Sequence, residues 1–373
     1  MSALQTLESG LAQLESIGRR RFLTLPQGHD FASNDYLGLA GSTRLRTAVT
    51  DAIGRGVPVG SGGSRLLRGH GEEHQRLEEE AARFFGAEAA LFIGSGYGAN
   101  ALIFATLPQR GDLVVYDALI HASAHEGMRL GRAATAAFAH NDVDAAADAI
   151  VQWRRGGATG TPWLAVESLY SMDGDQPPLA DFAALADRED AMLLIDEAHA
   201  TGVYGQDGRG LAAELDGRPN VVVLRTCGKA LGCEGALILA PQIVREFIIN
   251  RGRGFIFSTA PSPLIAAVVR DALRSLIEEP ERRERLRMLV ESAGCELRRL
   301  GLPVSGSSIQ PIVIGDDRRT MAIATALQRA GFDVRGVRPP TVPTGTSRLR
   351  LSVTLNVDEA ALAALAAALA KLL

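Results

Sequence analysis

Short apolar runs separated by helical stretches dominate the first two thirds of the chain. Residues 90–93, 112–116, 163–167, 192–196, 221–225 and 236–239 are runs of four or five mostly apolar residues, the pattern of strands buried on both faces. Between several of them lie alanine-rich stretches with helical periodicity, such as 142–154 and 179–189. This alternation predicts an α/β fold with a mostly parallel central sheet covered by helices. A long charged helical region follows over 261–300. A smaller unit comes next, with a strand at 310–314, a helix at 318–330, strands at 333–337 and 348–353, and an amphipathic last helix at 360–373. The pattern predicts a large α/β domain over 46–265 and a smaller C-terminal α/β lobe over 266–373. The N-terminal helix and arm, 1–45, is expected to pack on the smaller lobe.

Composition narrows the function. The chain has 373 residues, of which 46% are hydrophobic and 22% charged, as expected of a compact globular protein. A net charge of −4 gives no general attraction for nucleic acid. The arginines around 282–287 alternate with glutamates like a solvated helix face. The first residues carry Glu8 and Glu15 and lack a continuous apolar core, so no signal peptide is expected. No run reaches the ~18 apolar residues a membrane helix needs. A cytoplasmic protein with reduced thiols is expected, since Cys227, Cys233 and Cys295 cannot all pair within one chain. No metal is expected either: His121 and His125 are four apart, but no third ligand or HExxH pattern accompanies them.

Three features carry chemistry. Gly94-Ser95-Gly96-Tyr97-Gly98 lies between a predicted strand and helix, where small residues let helix N-terminal amides approach a phosphate. Asp196 ends an apolar strand, where doubly wound sheets bind ligands. A carboxylate there can keep a pyridine nitrogen protonated, as pyridoxal 5′-phosphate (PLP) requires to act as an electron sink. Its other readings are a helix cap or a metal aspartate, but no GxxxxGK[ST] precedes it. Lys229 sits among glycines and small apolar residues just after a strand, in a chain that relies on arginine for surface charge. It is placed to be a desolvated amine able to form an imine.

FASNDYLGL at 31–39, GSGGSRLLRG at 60–69, His121-Ala-Ser123, SMDGD at 171–175, IDEAHATGVYG at 195–205 and RPPTVPTGTSRLRLSV at 338–353 resemble the α-oxoamine synthases. The resemblance runs in order along nearly the whole chain. It implies PLP-dependent transferase fold type I, aspartate-aminotransferase-like. It also implies condensation of an amino acid with an acyl thioester, with loss of CO2. The 338–353 segment is most similar to the branch that joins L-alanine to a pimeloyl thioester, carried by coenzyme A or acyl carrier protein, on the way to biotin. By this resemblance Lys229 is the Schiff-base lysine, Asp196 meets the pyridine nitrogen and His121 stacks on the ring. His199 and Ser171 bracket the phenolic oxygen, and Gly96, Tyr97 and Thr226 hold the phosphate. Asn34 and Arg350 grip the amino-acid carboxylate, with His121 beside it. Arg19 meets the acyl substrate and Thr341 closes on it. Ser258 and Thr259 reach the phosphate of the neighbouring subunit, so a homodimer with shared sites is implied. The arm between the arginine run and FASNDYLGL is short for the family, and Cys227 replaces a bulky apolar residue. Three alternatives stay open: a relative using glycine or serine, an aminotransferase lacking the 338–353 ending, and a PLP-fold protein without activity.

Overall fold

The structure, a computed structural model, describes residues 2–373. In chain order, α1 (Ala3–Ser16) and β1 (His29–Asp30) lead to α2 (Thr43–Gly54), α3 (Glu72–Phe85), β2 (Ala89–Ile93) and α4 (Gly96–Thr106). Then come β3 (Leu113–Asp117), α5 (Ala122–Leu130), β4 (Ala134–Phe138), α6 (Val143–Arg155), β5 (Pro162–Glu167), α7 (Leu179–Arg188) and β6 (Met192–Asp196). β7 (Val221–Thr226), β8 (Ala236–Ala240), α8 (Gln242–Arg251), α9 (Arg253–Ile256), α10 (Pro263–Glu278) and α11 (Glu281–Arg299) follow. The last elements are β9 (Ile309–Gly315), α12 (Asp317–Arg329), β10 (Phe332–Asp333), β11 (Arg335–Val337), β12 (Ser347–Ser352) and α13 (Glu359–Leu369).

The large sheet has seven strands in the order β2-β8-β7-β6-β5-β3-β4. Only β8 runs against its neighbours, β2 and β7, and every other pairing is parallel. Strands β5, β7 and β8 are buried along their whole length, because helices cover both faces. That is why these strands read as continuous apolar runs rather than alternating ones. The edge strand β4, ATAAF, is mostly exposed and weak in β-formers, and the hydrophobic pattern gives no sign of it.

Contacts divide the chain into two compact units. The larger comprises Asn34–Ser171 and Asp175–Glu284. The smaller comprises the chain up to Ser33, Met172–Gly174 and Arg285–Leu373. These boundaries fall at 33 and 284, where the hydrophobic pattern places them at 45 and 265. The reason is α10: its buried face, including Ala266, Val269, Leu273 and Leu276, packs on α2 and α3 of the larger unit. The predicted helical region 261–300 is two helices interrupted near Pro280.

In the smaller unit, β11, β12 and β9 form an antiparallel sheet, and β1 pairs with β10. The predicted strand 333–337 is split into β10 and β11. Phe31, Ile312, Leu327, Leu349, Leu351 and Leu365 belong to its core. Helix α1 buries none of its residues. The arm after it is tied to α12 by the Arg19–Asp317 ion pair at 2.8 Å. Among the described residues no helix is long and apolar enough to cross a membrane, and no group of three or more His, Cys, Asp or Glu side chains could hold a metal ion. The three cysteines are free, and burial pushes the Cys227 thiol well above its usual range.

Candidate active site

Three adjacent apolar strands each finish on a polar residue: β5 on Glu167, β6 on Asp196 and β7 on Thr226. Parallel pairing sets Glu167 directly beside Asp196. The antiparallel β8 does something further, because its Ala236 pairs with both Ile93 and Thr226. The exit of β2 is thereby brought beside the exit of β7, and the 94–98 turn opens α4 next to Thr226. A Cβ added to Gly96 would stand 3.2 Å from Thr226 Oγ1. Ser95 Oγ caps the helix by accepting from the Gly98 amide at 3.0 Å. The Gly96 and Tyr97 amides lie in the first turn, where the helix itself provides no acceptor. Tyr97 is exposed.

Asp196 is buried, and both its oxygens are engaged. Oδ1 accepts from the Ala198 amide at 2.9 Å, and Oδ2 accepts from Asn100 Nδ2 at 2.6 Å. The same Asn100 nitrogen donates to Ser123 Oγ at 3.0 Å. Ser123 Oγ lies 2.8 Å from His121 Nδ1, and the Ser123 amide donates to that nitrogen at 3.2 Å. A backbone N–H can only donate, so His121 Nδ1 is an acceptor and the ring's proton sits on Nε2. Desolvation by the packed protein lowers the His121 pKa; Asp196 opposes this, and the charges of Lys229 and His125 add to it. His121 is thus a neutral ring, exposed to solvent, that presents an Nε2–H donor.

Lys229 is half-buried at the exit of β7 and is one of two lysines in the chain. Its Nζ lies 2.8 Å from His199 Nε2. His199 Nδ1 lies 2.7 Å from Tyr36 Oη, whose hydroxyl donates to Asn34 Oδ1 at 3.1 Å. With the lysine as an ammonium, the direction of the whole chain follows: Nζ–H to Nε2, Nδ1–H to Oη, Oη–H to Oδ1.

Ser171 is buried, and its amide donates to Glu167 Oε2 at 3.2 Å. Burial, then the charge of Asp196, raises the Glu167 pKa well above the usual carboxylate range, with Lys229 opposing. The loop after Ser171 is held at Asp175, whose Oδ2 contacts His140 Nε2 at 2.7 Å. His140 Nδ1 contacts Asp117 Oδ1 at 2.9 Å. Desolvation opposes the charge on His140, yet hydrogen bonds to Asp117 and Asp175 raise its pKa to about 10.

The remaining expected residues are placed as follows. Ser258 and Thr259 are exposed in the larger unit. In the smaller unit Arg350 is buried and donates from Nη1 to Ser352 Oγ at 2.8 Å. Thr341 is exposed and lines a cavity of about 790 Å³. Arg19 does not line that cavity; Arg20 and Arg21 do. Sequence reasoning missed Asn100, Tyr36, Glu167 and His140. Asn100 left a signal: it is one helical turn beyond Gly96 and an amide in a mostly apolar helix. Glu167 and His140 left none, because their roles come from strands and loops distant in sequence.

This donor set fits PLP. A side chain at Gly96 would press on Thr226 and fill space beside the first-turn amides, which glycine leaves open for close approach of a phosphate. A buried carboxylate, a histidine ring and a half-buried amine belong to the same unit.

The aminotransferase class I and II family matches residues 26–369. The 8-amino-7-oxononanoate synthase of Chromobacterium violaceum is 42% identical over 380 residues, covering 97% of each chain. That of Burkholderia thailandensis is 41% identical over 391 residues, covering 99% of this chain and 98% of its own. Among solved structures, serine palmitoyltransferase from S. paucimobilis with a bound PLP–myriocin aldimine superposes with a TM-score of 0.88 at 25% identity, covering 100% of this chain and 99% of that one. The 8-amino-7-oxononanoate synthase of Francisella tularensis gives 0.78 at 26% identity, covering 92% of this chain and 97% of that one. The chain belongs to the aminotransferase class I and II family, in its 8-amino-7-oxononanoate synthase branch.

Proposed function

We propose that this protein condenses L-alanine with a pimeloyl thioester, giving 8-amino-7-oxononanoate, CO2 and the free thiol of the carrier. The observation that carries the reading is Lys229: a half-buried amine 2.8 Å from His199, among the residues that fit PLP. PLP supplies an electron sink that stabilises negative charge at the amino-acid α-carbon. Lys229 Nζ holds the cofactor between turnovers, then takes the α-proton of bound alanine. The α-carbon forms its new bond to the acyl carbonyl, the carrier thiolate leaves, the former carboxylate departs as CO2, and the same carbon takes back a proton, which Lys229 Nζ returns.

Asp196 keeps the pyridine nitrogen protonated, and Asn100 and the Ala198 amide hold that carboxylate in place. His121 lies against the ring as a neutral imidazole and donates from Nε2 toward the substrate. It cannot serve as a base through Nδ1, which already accepts from Ser123. His199 and Ser171 bracket the phenolic oxygen, while Gly96, Tyr97 and Thr226 hold the phosphate. Asn34 and Arg350 grip the alanine carboxylate, and Thr341 closes on the acyl part. Arg19 is assigned to the acyl substrate as well, an assignment that requires exchange of its ion pair with Asp317. Ser258 and Thr259 reach the partner's phosphate, so the active form is a homodimer, soluble in the cytoplasm.

The test offers L-alanine, glycine and L-serine with a pimeloyl thioester and identifies the products by mass spectrometry. The 8-amino-7-oxononanoate mass, with alanine preferred about 10- to 200-fold for its one methyl group, is expected. A tenfold preference for glycine or serine overturns the alanine assignment.

A further inference from the structure

An amide side chain can face a neighbour with its oxygen or with its nitrogen, and for Asn34 that choice sets the direction of every hydrogen bond back to Lys229. Asn34 Oδ1 accepts from Tyr36 Oη at 3.1 Å. The hydroxyl has one hydrogen, so it meets His199 Nδ1, 2.7 Å away, as an acceptor. The imidazole proton then sits on Nδ1, and the Nε2 lone pair is left for Lys229 Nζ, 2.8 Å away, which must donate. With the Asn34 amide turned to present Nδ2, each bond would reverse, and Nε2–H would meet the lysine as a neutral amine. One polarity favours the ammonium and the other the free amine. Tyr36 and His199 are 1% and 5% exposed, so bulk water does not compete for these bonds.

The same Asn34 is assigned to the amino-acid carboxylate. A carboxylate only accepts, so it holds Asn34 by Nδ2 and keeps Oδ1 for Tyr36. Occupancy of the carboxylate site and the charge state of Lys229 are thereby joined through one phenol.

We propose that Tyr36 is a positioning residue that couples the carboxylate of the bound amino acid to the proton on Lys229. While the carboxylate is held, the row of hydrogen bonds stabilises the ammonium that Lys229 becomes on taking the α-proton, which makes the amine a stronger base. Once the carboxylate has left as CO2, Asn34 is no longer held by Nδ2, the row supports the ammonium less, and Nζ returns its proton to the same carbon. The proton taken from carbon is the one given back; His199 and Tyr36 keep their own throughout. The inference rests on the reading that Lys229 takes the α-proton of bound alanine.

Lys229 and Lys371 are the two lysines of the chain, so full-length protein labelled with ¹³C-lysine gives two Cε signals, one of them an internal reference. In protein freed of cofactor, Tyr36→Phe should move the pH midpoint of the Lys229 signal down by about one pH unit and leave that of Lys371 in place. The other titratable groups around Lys229 are His121 at the start of α5, Glu167 at the end of β5 and Asp196 at the end of β6, and this substitution alters none of their charges. Asn34→Asp keeps an acceptor for Tyr36 but cannot donate to a carboxylate. Its Lys229 midpoint should stay at or above the wild-type value, while the holoenzyme's KM for L-alanine rises at least about tenfold. In the holoenzyme without any acyl donor, Tyr36→Phe should slow exchange of the L-alanine α-hydrogen for deuterium about 10- to 100-fold, mostly through kcat. A Lys229 midpoint unmoved or raised in Tyr36→Phe overturns the proposal whether or not exchange slows, because the tyrosine then acts through packing alone. An Asn34→Asp midpoint as low as that of Tyr36→Phe overturns it as well. Tyr36-dependent exchange without any condensation product from a pimeloyl thioester upholds the coupling and sinks the condensation reading.

Discussion

At the scale of single residues, Asn100 shows how one side chain can govern two others. An amide nitrogen has two hydrogens, and here one goes to Asp196 Oδ2 and the other to Ser123 Oγ. The reverse orientation would set its carbonyl oxygen against a carboxylate, so the assignment is electrostatically fixed. Asn100→Ala should leave Asp196 with a buried, unsatisfied oxygen, costing about 1–3 kcal/mol of stability. Ser123 would also lose the donor that turns its own hydrogen toward His121. Because the Ser123 amide still donates to Nδ1, the Nε2–H tautomer should persist, and the expected result is a shifted His121 Nδ1 resonance in ¹⁵N NMR as its second donor, the Ser123 hydroxyl, is loosened. An unchanged Nδ1 resonance would make Asn100 a packing residue only. Such a network was half legible in the sequence. Asp196 and His121 stood out because each is a reactive type at a strand exit or loop; Asn100 left only the weaker mark of an amide in a mostly apolar helix, since its role depends on the fold bringing α4 to Asp196 at the end of β6.

At the scale of elements, the site depends on where helices and loops begin. Gly96 has no positive φ, so alanine there is compatible with the backbone and with helix formation in α4. Its methyl group would nevertheless stand 3.2 Å from Thr226 Oγ1, in the space assigned to the cofactor phosphate. Gly96→Ala should therefore keep the melting temperature of the apoprotein while weakening PLP binding about 10- to 100-fold in equilibrium dialysis. Unweakened binding would remove Gly96 from the phosphate site. The His140 clamp tests the loop that follows β5. Its pKa is raised to about 10 from 6.5, so the stabilisation is fully present below about pH 6.5 and disappears as pH rises through 10. His140→Gln should cost about 1–3 kcal/mol at pH 6, and urea titrations should show the deficit shrinking toward pH 10 and above. A pH-independent deficit would mean the ring acts through packing. Elements on this scale were the most legible: the six apolar runs all became strands of the large sheet. The edge strand β4 did not, because ATAAF is exposed and lacks the side chains that mark a strand. The position of α10 was missed as well, since the face it presents to α2 and α3 cannot be read from its own pattern.

At the scale of the whole molecule, the larger unit carries exposed features that a single chain does not explain. Phe257 is 70% exposed, Leu67 82% and Val59 70%, a high exposure for large apolar side chains. These segments are bound to one another: Ser61 Oγ donates to the Ala260 carbonyl at 2.7 Å, the Ala260 amide donates to the Gly63 carbonyl at 2.9 Å, and Ser262 Oγ donates to the Val59 carbonyl. The exposed Ser258-Thr259 pair is thus carried on a segment braced by the 59–63 loop, with apolar residues around it. Association with a second copy would bury that apolar surface and bring two hydroxyls to the partner's phosphate. The proposed dimer makes a prediction that activity of either chain alone cannot. A Lys229→Ala chain retains intact hydroxyls, and a Ser258→Ala/Thr259→Ala chain retains an intact lysine. In a mixed dimer with shared sites, one site has both lesions and the other has neither. Each parent should be impaired, and refolding an equimolar mixture should restore about a quarter of wild-type activity, since half the dimers are mixed and each has one whole site. Subunit exchange is verified by carrying different affinity tags on the two parents. If tagged heterodimers form without any recovery of activity, each chain builds its site from its own residues and the exposed hydroxyls serve another purpose.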